Sequence, residues 1–240
     1  MLNLTAECIR RRAWLSLLPA IWLWSCFPLL AAPSKSLLLS YTSHPEVEQK
    51  FIPLLRLAYQ NLGYQVRFIN VQSDRFPLLI QQQQVDGDVG RLIQMTELVS
   101  VTVPVYHLTD AQVSLRCRPG IRCEESMLYQ QDELIYTTAN TQIYQHLKLH
   151  FHARMETSRD WQHIVELYKL GRVDRFIWVG TAGVVPDGIK ETKAVLLKTP
   201  ALPLYHILHQ SKADLVPLVR SELERLSKIA ANPTATQAGT

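Results

Sequence analysis

An α/β fold in two similar lobes, with a cleft between them, is predicted by three observations in this 240-residue chain. First, a short unit occurs once in each half. One copy is Leu78-Leu79-Ile80-Gln81-Gln82-Gln83-Gln84-Val85-Asp86-Gly87-Asp88-Val89-Gly90-Arg91-Leu92. The other runs from Ile164 through Leu170-Gly171-Arg172-Val173-Asp174 to Val179. Each reads as an amphipathic helix, a polar turn, and Val-Asp leading into a buried strand. The Val-Asp pairs stand 88 residues apart (174 minus 86), too long a period for a solenoid but suited to paired lobes. Second, strand and helix patterns alternate throughout. Third, the body beyond residue 34 holds about 205 residues, enough for two small cores. A two-lobed chain commonly places its ligand between the lobes.

Residues 1–34 are set aside from the fold. Arg10, Arg11 and Arg12 form a positive segment, residues 13–32 are almost free of polar groups, and small residues follow at Ala31, Ala32 and Ser34. This is the layout of a cleaved secretory signal peptide, which places the mature protein in the periplasm. The apolar run is also about as long as a membrane span, roughly 20 residues, so a retained anchor is the structural alternative. Pro19 and Pro28 weaken it as a stable helix. Lipidation at Cys26, after Leu23-Trp24-Ser25, is a third reading, against which the bulk of Trp24 counts. Pro33 argues against cutting after Ala32. Ala32-Pro33-Ser34 before Lys35 is the candidate site.

In the body, residues 37–41 form an apolar run that ends in Thr42-Ser43-His44-Pro45, a buried strand entering a loop. Phe51, Leu54, Leu55, Ala58, Tyr59 and Leu62 share one helical face within 46–62, and Gly63 stops that helix. Residues 65–71 alternate as a second strand. Ser73 or Asp74 is expected to cap the next helix, which ends in the solvated glutamines 81–84. Residues 99–105 are β-branched and apolar, a strand, and 111–115 form a second extended stretch where the chain is expected to cross lobes. The second half repeats the order: a strand at 134–138, a helix after Asn140, a strand near 153–155, a helix over 160–170 and a strand at 176–179. Extended segments follow at 194–198 and 204–208. A helix over 213–229 presents Leu215, Val216, Val219, Leu223 and Leu226. Lobe 1 is therefore 35–108, with a returning C-terminal segment at about 200–230. Lobe 2 is 109–199, and 231–240, small and polar, reads as a disordered tail.

Two cysteines lie in the body, in Arg116-Cys117-Arg118-Pro119-Gly120-Ile121-Arg122-Cys123. Pro-Gly makes a tight reversal, and in an oxidising compartment a Cys117–Cys123 disulfide stapling a hairpin is the expected outcome. Zinc would need two further ligands nearby, and none is evident. Without the leader's three Arg and one Glu the net charge falls from +4 to +2. No Lys/Arg run remains, so a nucleic-acid partner is not expected.

The chain resembles the family 3 extracellular solute-binding proteins, the periplasmic proteins of bacterial polar amino acid uptake. The matching features are the leader, a first strand ending in an aromatic-polar loop, Phe51-Ile52-Pro53-Leu54-Leu55 and Val85-Asp86-Gly87. To these are added Thr102-Val103-Pro104-Val105-Tyr106 and Leu170-Gly171-Arg172-Val173-Asp174. The resemblance implies a bilobal periplasmic-binding-protein-like (type II) α/β fold and a monomer that takes a small-molecule ligand. The partner it implies is an inner-membrane permease of ABC-type uptake, or alternatively a sensor. It places first-lobe contacts on Tyr41, on Gly90-Arg91 and near Tyr106, and second-lobe contacts on Asn140, Thr141 and Gln142. A helix N-terminus at the last three suits an anionic group, although Asn140 and Thr141 equally suit plain caps.

Two departures stand out. The family's carboxylate-holding Arg, expected a few residues before the Pro-Tyr strand end, is missing from Met95-Thr96-Glu97-Leu98. Its amine-holding acid falls near Val179-Gly180. Arg91 is either a displaced anion clamp or a surface residue paired with Asp88. The histidines offer no metal site: His146, His150 and His152 lack an HExxH pattern or an acid among them, and read as solvated or capping. His206 and His209 read as edge residues, and Trp161 and Trp178 as packing. No GxSxG, Walker or GxGxxG motif occurs, so neither a cofactor nor a nucleophilic enzyme is expected. The sequence thus predicts a binding protein for a small polar or anionic molecule, alternatively a sensory module. An enzyme would have to rely on Asp88 or Glu97.

Overall fold

The computed structural model describes residues 35–96, 100–138, 144, 147, 149–158, 160–181 and 183–231. The leader, the predicted contacts Asn140, Thr141 and Gln142, the acid Glu97 and the tail from 232 lie outside the described residues.

The chain starts with β1 (Lys35–Tyr41), whose alternate residues Leu37 and Leu39 are buried. A loop and a π-helical turn lead into α1 (Ile52–Asn61), which seats Leu55, Ala58 and Tyr59 against the sheet and stops at Gly63, φ 78°. Next come β2 (Tyr64–Asn70), α2 (Phe76–Gln81), β3 (Gly87–Leu92) and the single turn α3 (Ile93–Thr96). β4 (Thr102–Cys117) is followed by β5 (Leu134–Thr137), β6 (Arg154–Thr157), α4 (Trp161–Lys169), β7 (Arg175–Thr181) and β8 (Lys193–Leu196). β9 (Leu202–His209) and α5 (Val216–Ala231) complete the order.

One mixed sheet joins them in the order β2-β1-β3-β9-β4-β7-β5-β6, with β8 on β4. β4 makes it continuous. Its first part pairs with β9, from Thr102↔His209 to Ala111↔Leu202, and its last part with β7, from Ala111↔Thr181 to Cys117↔Arg175. The extended stretches predicted at 99–105 and 111–115 are therefore one 16-residue strand. The polar residues between them, His107, Thr109 and Asp110, hid its continuity, and two register shifts against β9 accommodate them. The chain passes between the halves of the sheet at Ala111 and returns at Leu202.

The buried side chains fall on either side of that crossing. Leu39, Phe51, Leu55, Tyr59, Val105 and Leu223 belong to one cluster, drawn from the first half and the returning α5. Val113, Leu115, Met127, Leu128, Ile135 and Ile177 belong to another. The fold is thus a bilobal α/β fold of the predicted class.

The repeated unit has a common geometry. In the first copy the Gln84 N–H donates to the Leu79 carbonyl at 2.9 Å and the Gln83 N–H to Ile80 at 3.1 Å. In the second, Arg172 donates to Leu167 at 2.8 Å and Gly171 to Tyr168 at 3.0 Å. Both are Schellman closures, with Gln83 (φ 54°) and Gly171 (φ 71°) at the left-handed position. The aspartates are structural. Asp86 accepts from the Leu38 N–H at 2.8 Å, and Asp174 from Arg118 Nε at 3.0 Å.

Several expectations are corrected in detail. Neither Ser73 nor Asp74 caps α2, which starts after Arg75 without a side-chain cap. His206 and His209 are buried, because β9 lies between β3 and β4 rather than at an edge. The Cys117–Cys123 disulfide is present, with Cα atoms 5.7 Å apart. It closes a loop at the end of β4 rather than a hairpin, since Cys123 lies in no strand.

Candidate functional site

Strand ends converge where the two halves of the sheet meet. The loop after β1 brings Thr42, Ser43, His44 and Glu46, and the end of β3 brings Gly90, Arg91 and Leu92. The middle of β4 gives Thr109 and Ala111, the end of β7 gives Val179 and Gly180, and β9 gives Leu204. With Val47, Phe51, Ser73 and Thr138 these residues line a cavity of about 140 Å³. A polar recess adjoins it through Thr42 and Ser43 and is bounded also by Asn70, Val71, Gln72 and Asp160. A second recess meets the first at Asp160 and is bounded further by Thr157, Ser158, Gln162, His163 and Glu166.

The halves are tied together on one side of the cavity. Gln162 Nε2 donates to Ser43 Oγ at 2.9 Å, and Ser43 Oγ lies 2.8 Å from Glu48 Oε1. His44 Nε2 lies 3.1 Å from the Val179 carbonyl, which can only accept, so that nitrogen carries the proton. The other ring nitrogen accepts from the Glu46 N–H at 3.3 Å. The His44 ring stacks on Trp178 with centroids 4.7 Å apart. Burial pushes the His44 pKa down, against the opposing pull of Glu46, the Val179 carbonyl and Glu48, so the ring is neutral near pH 7.

Glu46 is 5% exposed. Its Oε2 accepts from the Thr181 N–H at 2.9 Å, across the gap between the halves. Its Oε1 is buried with no hydrogen-bond partner among the described residues. Gly180 makes room for this approach. A Cβ there would lie 3.4 Å from Glu46 Oε2 and 2.8 Å from Trp178 Nε1.

Arg91 lines the cavity at 5% exposure, next to the fully buried Asp88. Its Nη2 is 2.6 Å from Asp88 Oδ2, its Nη1 donates to Ser73 Oγ at 2.9 Å, and its guanidinium carbon lies 4.2 Å from the Phe76 ring centre. Asp88 also accepts from Ser40 Oγ at 2.7 Å and from the Gly90 N–H at 3.0 Å. Arg91 is thus paired with Asp88, as one sequence reading had it, but inside the protein and not on its surface. Ser73 was free to take this role because α2 does not use it as a cap. Behind the pair, the His206 ring contacts the Asp88 carbonyl at 2.7 Å and the Tyr59 hydroxyl at 2.8 Å.

Of the residues named from sequence, the structure brings Gly90 and Arg91 to the cavity. Gly90 is also tightly packed, since a Cβ there would press on Leu204 Cδ2 at 3.1 Å. Tyr41 ends β1 one residue before the lining begins, and its side chain packs against the first-half core. The Tyr106 hydroxyl donates to Ser227 of α5 at 2.9 Å, and Tyr106 is not part of the lining. Sequence reasoning passed over His44 and Glu46. The signal was there, in the aromatic-polar loop after β1 and in the glycine standing where the family carries its acid.

No protein-family model and no curated protein matches the chain. Solved structures do. The arginine-bound truncated ArgBP from T. maritima aligns with a TM-score of 0.63 at 13% identity, covering 80% of this chain and 96% of that one. The ancestral amino acid-binding protein AncCDT-1, a precursor of cyclohexadienyl dehydratase, aligns at 0.65 and 16%, covering 80% and 90%. An ancestral arginine-binding protein bound to arginine aligns at 0.61 and 15%, covering 80% and 92%. At these identities the likeness shows the fold, which is that of the bilobal amino acid-binding proteins.

Proposed function

We propose that this chain is a periplasmic solute-binding protein whose lobes close over a small polar molecule and present it to an inner-membrane permease of ABC-type uptake. The observation that carries this reading is the cavity itself. It is lined from both halves of the sheet by serine, threonine, histidine, glutamate and arginine side chains, beside hydrogen bonds that already join Ser43, His44 and Glu46 to the far half. Such a site favours lobe closure around a ligand. The export step rests on Arg10–Arg12 and the apolar run after them. No helix among the described residues is long and apolar enough to cross a membrane.

A sensory role on the same fold is the second reading. It is favoured by the absence of the family's Arg from 95–98 and of its acid from 179–180. A catalytic role has less support, because Asp88 is held by Arg91, Ser40 and Gly90 and no acid–base pair stands across the cavity among the described residues.

The test is a thermal-shift screen of amino acids, amines, carboxylates and sugars. A ligand that binds only the folded state stabilises it by about 2.7 kcal/mol at one hundred times its Kd. A hit whose affinity drops when Thr109 or Gly180 is enlarged supports the cavity as the site. A silent panel counts against solute binding and in favour of a protein partner.

A further inference from the structure

Besides His44, the cavity lining holds two ionisable side chains, Arg91 and Glu46, and they are differently partnered. Arg91 is matched by Asp88 at 2.6 Å, so the pair adds no net charge. Two of its nitrogens are engaged, its face lies on Phe76, and only its Nε lacks a partner among the described residues. A guanidinium so held still has N–H groups to give to a neutral oxygen, but its charge is already matched by Asp88, so it is poorly placed to balance a second carboxylate.

Glu46 is the opposite case. It is as deeply buried as Arg91, and among the described residues it forms no ion pair. Oε2 has the Thr181 N–H, and Oε1 has no partner among the described residues. Its neighbour His44 is neutral near pH 7 and donates to the Val179 carbonyl rather than to the carboxylate. A buried carboxylate without a counterion is unfavourable, and a cation entering the cavity would relieve it. The approach to the cavity has the same sign. The recess that shares Thr42 and Ser43 with the cavity carries Asp160, which also bounds the second recess beside Glu166, and neither has a Lys or Arg among its lining residues. Carboxylates at the mouth of a cleft concentrate cations and repel anions.

We propose that this cavity takes a small protonated amine without a carboxylate, with Glu46 as its counterion, an inference that rests on the solute-binding function above. The remaining lining suits the neutral end of such a molecule: hydroxyls at Thr42, Ser43, Ser73 and Thr109, and apolar surface at Phe51, Leu92 and Leu204. A cavity of about 140 Å³ leaves room for a small molecule such as an amino alcohol.

The experiment is calorimetric titration of the purified protein with ethanolammonium, ethylammonium, glycine and glycolate, repeated on Glu46→Gln. Gln at position 46 keeps an acceptor for the Thr181 N–H, so a folded variant is expected, and its far-ultraviolet circular dichroism checks this. The expected result is binding of ethanolammonium, weaker or no binding of glycine and glycolate, and an affinity loss of about thirtyfold or more in Glu46→Gln. Amine binding that Glu46→Gln leaves unchanged overturns the inference. Binding of glycolate or glycine while both amines are silent overturns it too, yet leaves the solute-binding function standing. Silence from all four probes together with a silent broad panel overturns both.

Discussion

Replacing Arg91 with Met tests whether the Arg91–Asp88 pair is a buried structural unit. The carboxylate of Asp88 is 0% exposed and has three donors: Arg91 Nη2 at 2.6 Å, Ser40 Oγ at 2.7 Å and the Gly90 N–H at 3.0 Å. Met keeps much of the volume against Phe76 but removes the cation, so Asp88 is left charged, desolvated and held by two neutral donors. Breaking a buried pair in this way costs about 3–5 kcal/mol. That is a large part of the roughly 5–15 kcal/mol that stabilises a typical domain. Asp88→Asn in the same background keeps an acceptor for the Gly90 N–H, turns an NH2 toward Ser40 Oγ, which can accept, and removes the stranded charge. The double variant is therefore expected to be more stable than the sum of the single changes implies, by about 2 kcal/mol, within the usual coupling of contacting residues. Urea unfolding followed by circular dichroism and tryptophan fluorescence measures all four proteins, with an unchanged m-value as the check that the same transition is compared. If Arg91→Met costs under about 1 kcal/mol, Arg91 behaves as a solvated surface partner and the reasoning fails.

Four further outcomes are expected. Burial holds the His206 pKa at about 4, below its ordinary 6.5, and the ring folds neutral between the Asp88 carbonyl and the Tyr59 hydroxyl. Between those pH values the unfolded chain binds the extra proton, so stability is full above about 6.5 and declines as pH falls toward about 4, by about 3 kcal/mol in all; urea titrations of the protein and of His206→Asn should diverge in slope over that window. Gly180→Ala places a Cβ 2.8 Å from Trp178 Nε1, and should cost about 1–3 kcal/mol and alter near-ultraviolet circular dichroism. Gln83→Gly relieves a left-handed residue, φ 54°, and should raise stability by about 0.5–1 kcal/mol in thermal unfolding, whereas Gly171→Gln should lower it. The paired change of Cys117 and Cys123 to Ser opens a loop of sequence separation 6 and should cost about 2 kcal/mol by urea unfolding.

The fold class was legible in the sequence because it is carried by local periodicity. The helix face of Leu55, Ala58 and Tyr59, the alternation of β1 and the doubled Val-Asp unit each reflect contacts made within a few residues. The Cys117–Cys123 bridge was legible for the same reason, since its partners flank one turn. Of the cavity, Gly90 and Arg91 could be named because they follow directly from that unit along β3.

Tertiary structure decided the rest, wherever a side chain's state depends on a partner far along the chain. Nothing near Glu46 in sequence says that its carboxylate meets the Thr181 N–H, 135 residues away, beside a glycine that leaves the space open. Nothing near Ser73 says that Arg91 will claim its hydroxyl from the helix it precedes. The continuity of β4 through His107, Thr109 and Asp110 depends on pairing with β9, a strand from the other end of the chain. Hydrophobic patterning reports which face of an element is buried, but charge pairing and burial of single polar groups are set by what packs against them. That is why the sequence led toward an anion at Arg91, while the folded protein pairs Arg91 with Asp88 and leaves a carboxylate in the cavity without a counterion among the described residues.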